Sequence, residues 1–288
     1  MPSSDQLVTW EQAVAWLRAQ PEHLQLVRDS YQDDPLLDAA NRYWKSDEWT
    51  SIAALLGPGH GRNAVDIGAG RGIASYALAR EGYSVSSLEP DDSDLVGGGA
   101  IRALAAETSL PIVVVQGHAE SLPLPADSAD LVFARAALHH TRNLGQACRE
   151  FFRVLKPGGR MLAIREHVIS KPSDLPAFLE AHPLHRLYGG ENAFPLNEYI
   201  EAFRSAGFEI TRVIGPLASA INYAPQTRET LREGFAQRLS RIPGGETLGR
   251  YLLRSRAVFW AALRAAALVD NRPGRLYSFL CKKPAVSG

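Results

Sequence analysis

An acid and three glycines share the stretch DIGAGRG, residues 66–72, where the apolar run NAVDI (63–67) gives way to the helical pattern GIASYALAREG (72–82). A chain that leaves a strand for a helix must turn sharply, and glycine tolerates the backbone angles this requires. Lacking a side chain, it also lets a ligand approach the main chain closely. Loops of this kind receive nucleotides. Gly68 and Gly70 supply the G-x-G spacing, but Ile73 stands where the dinucleotide fingerprint G-x-G-x-x-G has its third glycine. Glu89 ends the next apolar run, YSVSSLE, 21 residues after Gly68. Two carboxylate oxygens there suit the two hydroxyls of a ribose. Loop and acid together favour a ribose-bearing cofactor without choosing among such cofactors.

Histidines form the second group. His139 and His140 directly follow the apolar run ADLVFA (129–134) and the short ARAAL segment. Histidine titrates near neutral pH and suits proton removal, so both are assigned a catalytic role, with structural packing of His139 as the alternative. The segment EAHPLHRLYGGENAF (180–194) concentrates His182, His185, Tyr188, Glu191 and Asn192 where a plain connection needs no such groups. These five are assigned to substrate binding; the alternative is a turn in which GGEN caps the following helix. His182, His185 and Glu191 offer nitrogen and oxygen donors to a metal, but no second carboxylate lies close by, and no metal is expected. Tyr31, Tyr43, Trp44 and Trp49 are aromatic enough to wall an apolar pocket, and Tyr31 and Trp44 are assigned to the substrate side; the alternative is plain core.

The elements that must position these groups alternate. Residues 10–57 read as helix, with Trp10, Ala13, Val14 and Leu17 on one face, Pro21 opening a second helix, and LLDAANRYWKSDEWTSIAALLG running on to Gly57. Strands are expected at NAVDI, YSVSSLE, PIVVVQG, ADLVFA, RMLAIRE, FEITRVI and RLYSFLCKK. Between the fourth and fifth, Leu144, Cys148, Phe151, Phe152 and Leu155 mark an amphipathic helix that KPGG (156–159) terminates. Residues 167–193 read as an irregular connection and 225–268 as helical. Such alternation indicates a mostly parallel sheet covered on both faces.

Composition narrows the partners. Lys+Arg and Asp+Glu both number 31, so no overall basic field draws nucleic acid, and none is expected as a partner. Only Cys148 and Cys281 are present, unpaired by spacing, which fits a reducing compartment. MPSSDQLVTW lacks the features of a signal peptide, and AVFWAALRAAALV (257–269) is too short for a bilayer. The expectation is a cytoplasmic protein with no membrane partner, a monomer or homodimer.

QGHAESLPLPADSADLVFARAALHH followed by FFRVLKPGGRMLAI, downstream of DIGAGRG, resembles the class I S-adenosylmethionine-dependent methyltransferases, especially the small-molecule group of methyltransferase type 11. The resemblance covers about residues 60–167 and, more loosely, the last two strands. It implies an α/β Rossmann-like seven-stranded sheet with the last strand antiparallel and helical cap additions. Segment by segment, 1–57 would be a helical cap, 58–224 the α/β core, 225–270 a helical insertion over the active site and 271–288 the final strand. It also implies the cofactor S-adenosyl-L-methionine, with S-adenosyl-L-homocysteine as product. Asp66, Gly68, Ala69 and Gly70 would line the methionine portion, Glu89 would hold the ribose and Pro90 would flank the adenine. His118 and Ala119, where the family often has Asp–Ala, would contact the adenine ring, and Ala134 and Arg135 would border the sulfonium. The acceptor would be a small molecule methylated on oxygen or nitrogen. Two rivals stay open: a nicotinamide-dependent oxidoreductase, and a cofactor-binding protein without catalysis.

Overall fold

β1 (Asn63–Ile67) runs parallel to β2 (Ser84–Leu88) on one side and to β4 (Ala129–Arg135) on the other. This is the point where the strand order reverses, and in such sheets a crevice opens beyond the carboxyl ends of the strands. The computed structural model describes residues 8–241 and 244–285. Residues 1–7, which hold most of the segment examined for a leader, lie outside the described residues, as do 286–288 at the chain's end.

The sheet continues with β3 (Ile112–Val115), β5 (Leu155–Ile169), β6 (Phe194–Pro195), β7 (Glu209–Ile214) and β8 (Arg275–Lys282), in the order β3-β2-β1-β4-β5-β8-β7. β8 is antiparallel to both β5 and β7, as expected for the last strand. The seven anticipated strands form; the eighth, β6, is a two-residue addition that pairs with Val168 and Ile169. The helix Leu144–Val154 ends just before KPGG, which lies inside β5; that strand opens at Leu155, earlier than the sequence pattern suggested. That helix buries Leu144, Ala147, Cys148, Phe151 and Val154, and Asn143 caps it by accepting the Gln146 N–H at 2.9 Å. Asp130 ties the lower sheet edge, accepting from the Asn63 N–H at 2.9 Å and from Lys156 at 2.8 Å.

Two segments depart from the sequence pattern. The single helix expected up to Gly57 is two, Leu36–Trp44 and Asp47–Leu56, because Ser46 accepts the Trp49 N–H at 3.0 Å and starts a new helix. The connection 167–193 is not irregular: β5 extends through Ile169, and short helices follow at Leu175–Glu180 and Pro183–Leu187. The stretch expected to be helical is so: Arg228–Arg238, Gly245–Leu252 and Arg256–Val269 form, and Leu231, Ala236, Phe259 and Leu263, with Leu253 just beyond the second helix, make a small core with Ala220 and Tyr223. Among the described residues, no helix is long and apolar enough to cross a membrane.

Candidate functional site

Gly68 leaves β1 with φ +61° and Gly70 follows at +54°, in the left-handed region that residues with side chains rarely occupy. A Cβ on Gly68 would lie 3.0 Å from the Ala137 Cβ. The loop therefore packs against the segment after β4 only with glycine there. The Gly70 N–H donates to Glu89 Oε2 at 2.7 Å, and the Asp91 N–H donates to Glu89 Oε1 at 3.1 Å. Beneath the loop, the Ser75 hydroxyl donates to Asp66 Oδ2 at 2.6 Å and lies 2.7 Å from Ser87 Oγ. Asp66 is 1% exposed and Glu89 8%. Burial pushes both carboxyls up to about 7, and their hydrogen bonds offset it only in part.

The loop opens onto a cavity of about 420 Å³. Asp66, Gly68, Ala69, Gly70, Glu89, Pro90 and Arg135 line it, together with Tyr31, His139, His140, His182, His185, Tyr188 and Glu191. Five assigned residues are not among its lining. Ala134 is fully buried within β4, and the lining begins one residue later. His118 is exposed and Ala119 packs against the main core. Trp44 donates its indole N–H to Glu81 at 3.1 Å beneath the Arg80 guanidinium, at the far end of the helix Ile73–Arg80 from the glycine loop. Asn192 also lies off the cavity. Nor does any described residue of 225–270 line it: those helices pack on one another through Leu231, Ala236, Leu253, Phe259 and Leu263 and leave Leu248, Tyr251, Leu268 and Val269 exposed.

The roof comes from two distant segments. The helix Trp10–Arg18 packs on Pro183–Leu187 through Ala13, Leu17 and Leu184, and the Trp10 and Tyr188 rings meet at 5.4 Å. Arg71, next to Gly70, donates to the main-chain oxygens of Tyr31 at 3.3 Å and Asp33 at 2.9 Å and pairs with the Asp34 carboxylate. At the end of β4, Arg135 meets Glu48 through Nε at 2.7 Å and Nη2 at 3.2 Å, and Arg165 Nη1 lies 3.6 Å from the same carboxylate. Glu48 is 1% exposed, so its buried charge is matched by two guanidiniums.

The histidines gather around two glutamates. Glu166, fully buried in β5, accepts the main-chain N–H groups of Ala137, Leu138 and His139 at 3.1–3.2 Å and His139 Nδ1 at 2.8 Å. His139 Nε2 then faces Glu191 Oε1 at 3.4 Å. His185 Nε2 lies 3.6 Å from that oxygen, and His140 Nε2 lies 3.9 Å from Glu191 Oε2. Burial disfavours charge on His139, yet the Glu166 and Glu191 carboxylates prevail and hold it up at about 9. Burial likewise opposes charge on Glu191, and the histidines around it outweigh that, bringing it down to about 2. His140 is pushed down to about 4, by burial first and then by the His139 charge. The two adjacent histidines, equivalent in sequence, thus differ: His139 carries a proton at neutral pH and His140 does not.

Residues 65–163 match the family described as "Methyltransferase domain". This core is a class I S-adenosylmethionine-dependent methyltransferase domain. The chain is 28% identical over 213 residues to 27-O-demethylrifamycin SV methyltransferase of Amycolatopsis mediterranei (strain S699), covering 69% of this chain and 74% of that one. It is 27% identical over 208 residues to the ubiquinone/menaquinone biosynthesis C-methyltransferase UbiE of Nitrobacter hamburgensis, covering 63% and 79%. Among solved structures, geranyl diphosphate C-methyltransferase from Streptomyces coelicolor A3(2) shares the fold with a TM-score of 0.57 at 15% identity, over 92% of this chain and 86% of that one. The [4+2]-cyclase SpnF shares it with a TM-score of 0.55 at 19% identity, over 97% of each chain. Structural likeness at these identities shows the fold alone.

The cofactor of the methyltransferase is S-adenosylmethionine, which removes the nicotinamide alternative. Its chemistry fits the donor set: two buried carboxylates outside any ion pair among the described residues, beside glycines that expose the main chain. Glu48, Arg71, Arg165, Glu166 and His167 escaped sequence reasoning. His167 lies one residue beyond the expected end of the fifth strand, so only a correct strand length would have drawn it in.

Proposed function

We propose that the chain transfers the methyl group of S-adenosylmethionine to a hydroxyl or amino group of a small molecule bound in the 420 Å³ cavity. The observation that carries it is the shared cavity: the Gly70–Glu89 loop and the Tyr31, His140, His185 and Tyr188 side chains open onto the same space. When bound, the cofactor supplies a methyl group on a good leaving group, so alignment and exclusion of water are what the chain must add.

In this reading Glu89 accepts from the ribose hydroxyls, with Pro90 beside the adenine. Asp66 faces the amino group, and Gly68, Ala69 and Gly70 border the methionine portion. His118 and Ala119 lie off the lining of this cavity and are given no role in this reading. Pairing with Glu48 keeps the Arg135 charge compensated near a sulfonium. The Trp10–Tyr188 roof excludes water.

His140 is the residue suited to remove a proton. Its Nδ1–H donates to the Gly190 carbonyl at 3.1 Å, which leaves Nε2 with a lone pair. A weak base suffices for a hydroxyl acceptor, because an alcohol oxygen that has gained a methyl group is a strongly acidic oxonium; a neutral amine needs no base to attack. His139, holding its proton between two carboxylates, orients and donates. The two buried free cysteines fit a reducing, cytoplasmic setting.

The test incubates the purified chain with S-adenosylmethionine and a panel of small phenols, alcohols and amines, and follows S-adenosylhomocysteine release. Calorimetry with S-adenosylhomocysteine runs alongside. Binding with no release from any acceptor would favour the non-catalytic alternative, and methylated carbon in the product would remove the O- or N-acceptor.

A further inference from the structure

The side of each histidine facing away from Glu191 is already engaged. His139 Nδ1 lies 2.8 Å from Glu166, His167 Nδ1 lies 3.0 Å from the Gly274 carbonyl, and His140 Nδ1 lies 3.1 Å from the Gly190 carbonyl. A carbonyl or carboxylate oxygen can only accept, so each Nδ1 carries a hydrogen and Nε2 is the atom left to hold a proton or a metal ion. His139, His140 and His185 turn that atom toward Glu191, whose side chain is 4% exposed and whose Oε1 accepts no hydrogen bond among the described residues. A buried carboxylate needs a cation beside it, and a metal ion can take the place of the second proton of His139.

We propose that His139 Nε2, His167 Nε2 and the Glu191 carboxylate bind a divalent first-row transition-metal ion, with an open coordination position on the cavity. One ligand atom from each of the three residues lies within 4.8 Å of the others. The 3.4 Å from His139 Nε2 to Glu191 Oε1 is long for a charge-assisted hydrogen bond, which runs about 2.7–2.9 Å. It matches the roughly 3.3 Å edge of a tetrahedron with metal–ligand bonds of about 2.0–2.1 Å. His185 Nε2, 3.6 Å from the same oxygen, borders the site on its cavity side. The Glu166–His139 and Gly274–His167 hydrogen bonds are the outer partners that fix a metal-binding imidazole in its tautomer.

Two imidazoles and a carboxylate select zinc, iron, cobalt or nickel over magnesium or calcium, which prefer oxygen donors. The set differs from the His182, His185 and Glu191 grouping suggested by sequence: His182 Nδ1 accepts the Leu184 N–H at 3.2 Å and caps a helix instead. An ion here would hold the acceptor's oxygen or nitrogen and ease loss of its proton. That role rests on the methyl-transfer reading; binding of the ion does not.

The test uses the full chain, freed of metal with a chelator and titrated with cobalt(II) chloride alone while visible absorption is followed. Calorimetry with S-adenosylhomocysteine on the same preparations reports an intact fold and glycine loop. One cobalt(II) per chain, displaced by zinc(II), is expected. Affinity should fall at least about a hundredfold in Glu191→Gln and in His167→Ala, while His182→Asn retains it. If either variant loses S-adenosylhomocysteine binding as well, the other carries the comparison. No cobalt(II) uptake by a chain that binds S-adenosylhomocysteine overturns the site, as does equal uptake by Glu191→Gln. Cobalt(II) uptake without methyl transfer to any acceptor leaves the site standing and removes the catalytic reading.

Discussion

Glu166 accepts a hydrogen bond from His139 Nδ1–H at 2.8 Å while three main-chain N–H groups from Ala137, Leu138 and His139 point at the same carboxylate. A single buried acid in β5 therefore fixes both the turn after β4 and the ring it presents to the cavity. Replacing Glu166 by alanine strands four buried donors, and we expect a loss of about 3–5 kcal/mol in urea unfolding. Glu166→Gln keeps one acceptor oxygen and should cost about 1–2 kcal/mol. A loss below 1 kcal/mol in the alanine variant would show that another group holds this turn.

Glu89 is expected to set cofactor affinity. Its two oxygens already accept from Gly70 and Asp91, and each retains a lone pair for a ribose hydroxyl. Glu89→Ala should weaken S-adenosylhomocysteine binding by about 3 kcal/mol, roughly a hundredfold or more in Kd, as read by calorimetry. An unchanged Kd would place the ribose elsewhere.

The same carboxyl predicts a pH dependence. In the free chain Glu89 and Asp66 are both pushed up to about 7 by burial. Ribose hydroxyls and an ammonium group favour the ionised forms, so binding lowers both pKa values and releases protons below neutrality. Affinity for S-adenosylhomocysteine should rise from about pH 5.5 to about pH 8 and level off above, by up to about tenfold per pH unit for each group. Calorimetry at about pH 6 in two buffers of different ionisation enthalpy reads the released protons. Affinity that falls as pH rises would reverse the sign and refute it.

How much of this site was legible follows from where its partners lie in the chain. The glycine loop, Glu89 and the strands around them carry local signals, and the structure brings Gly70 and Glu89 to 2.7 Å. The split between Leu36–Trp44 and Asp47–Leu56 turned on one capping serine inside a continuous apolar pattern, which periodicity does not register. Glu166 and Glu48 were invisible for another reason. Their partners His139 and Arg135 lie 27 and 87 residues away, and neither an acid within the β5 run nor one in the first turn of a helix has a local signature of burial. Trp44 shows a further limit, because an aromatic ring reads alike in sequence whether it faces a cavity or, as here, sits under Arg80 and donates to Glu81.

Arg71 should control the N-terminal roof. It reaches from the cofactor loop to the main-chain oxygens of Tyr31 and Asp33, and it is itself 6% exposed. Arg71→Ala leaves those carbonyls without that donor and should cost about 1–3 kcal/mol. Hydrogen exchange should quicken across residues 24–44, and S-adenosylhomocysteine should dissociate faster. The ion pair with Asp34 is the lesser part, because that carboxylate is 59% exposed and screened by water. Asp34→Ala is accordingly expected to change stability by less than about 0.5 kcal/mol, with exchange in 24–44 near that of the natural chain. Equal effects from the two variants would assign the strap to the ion pair and overturn the role given to the main-chain oxygens.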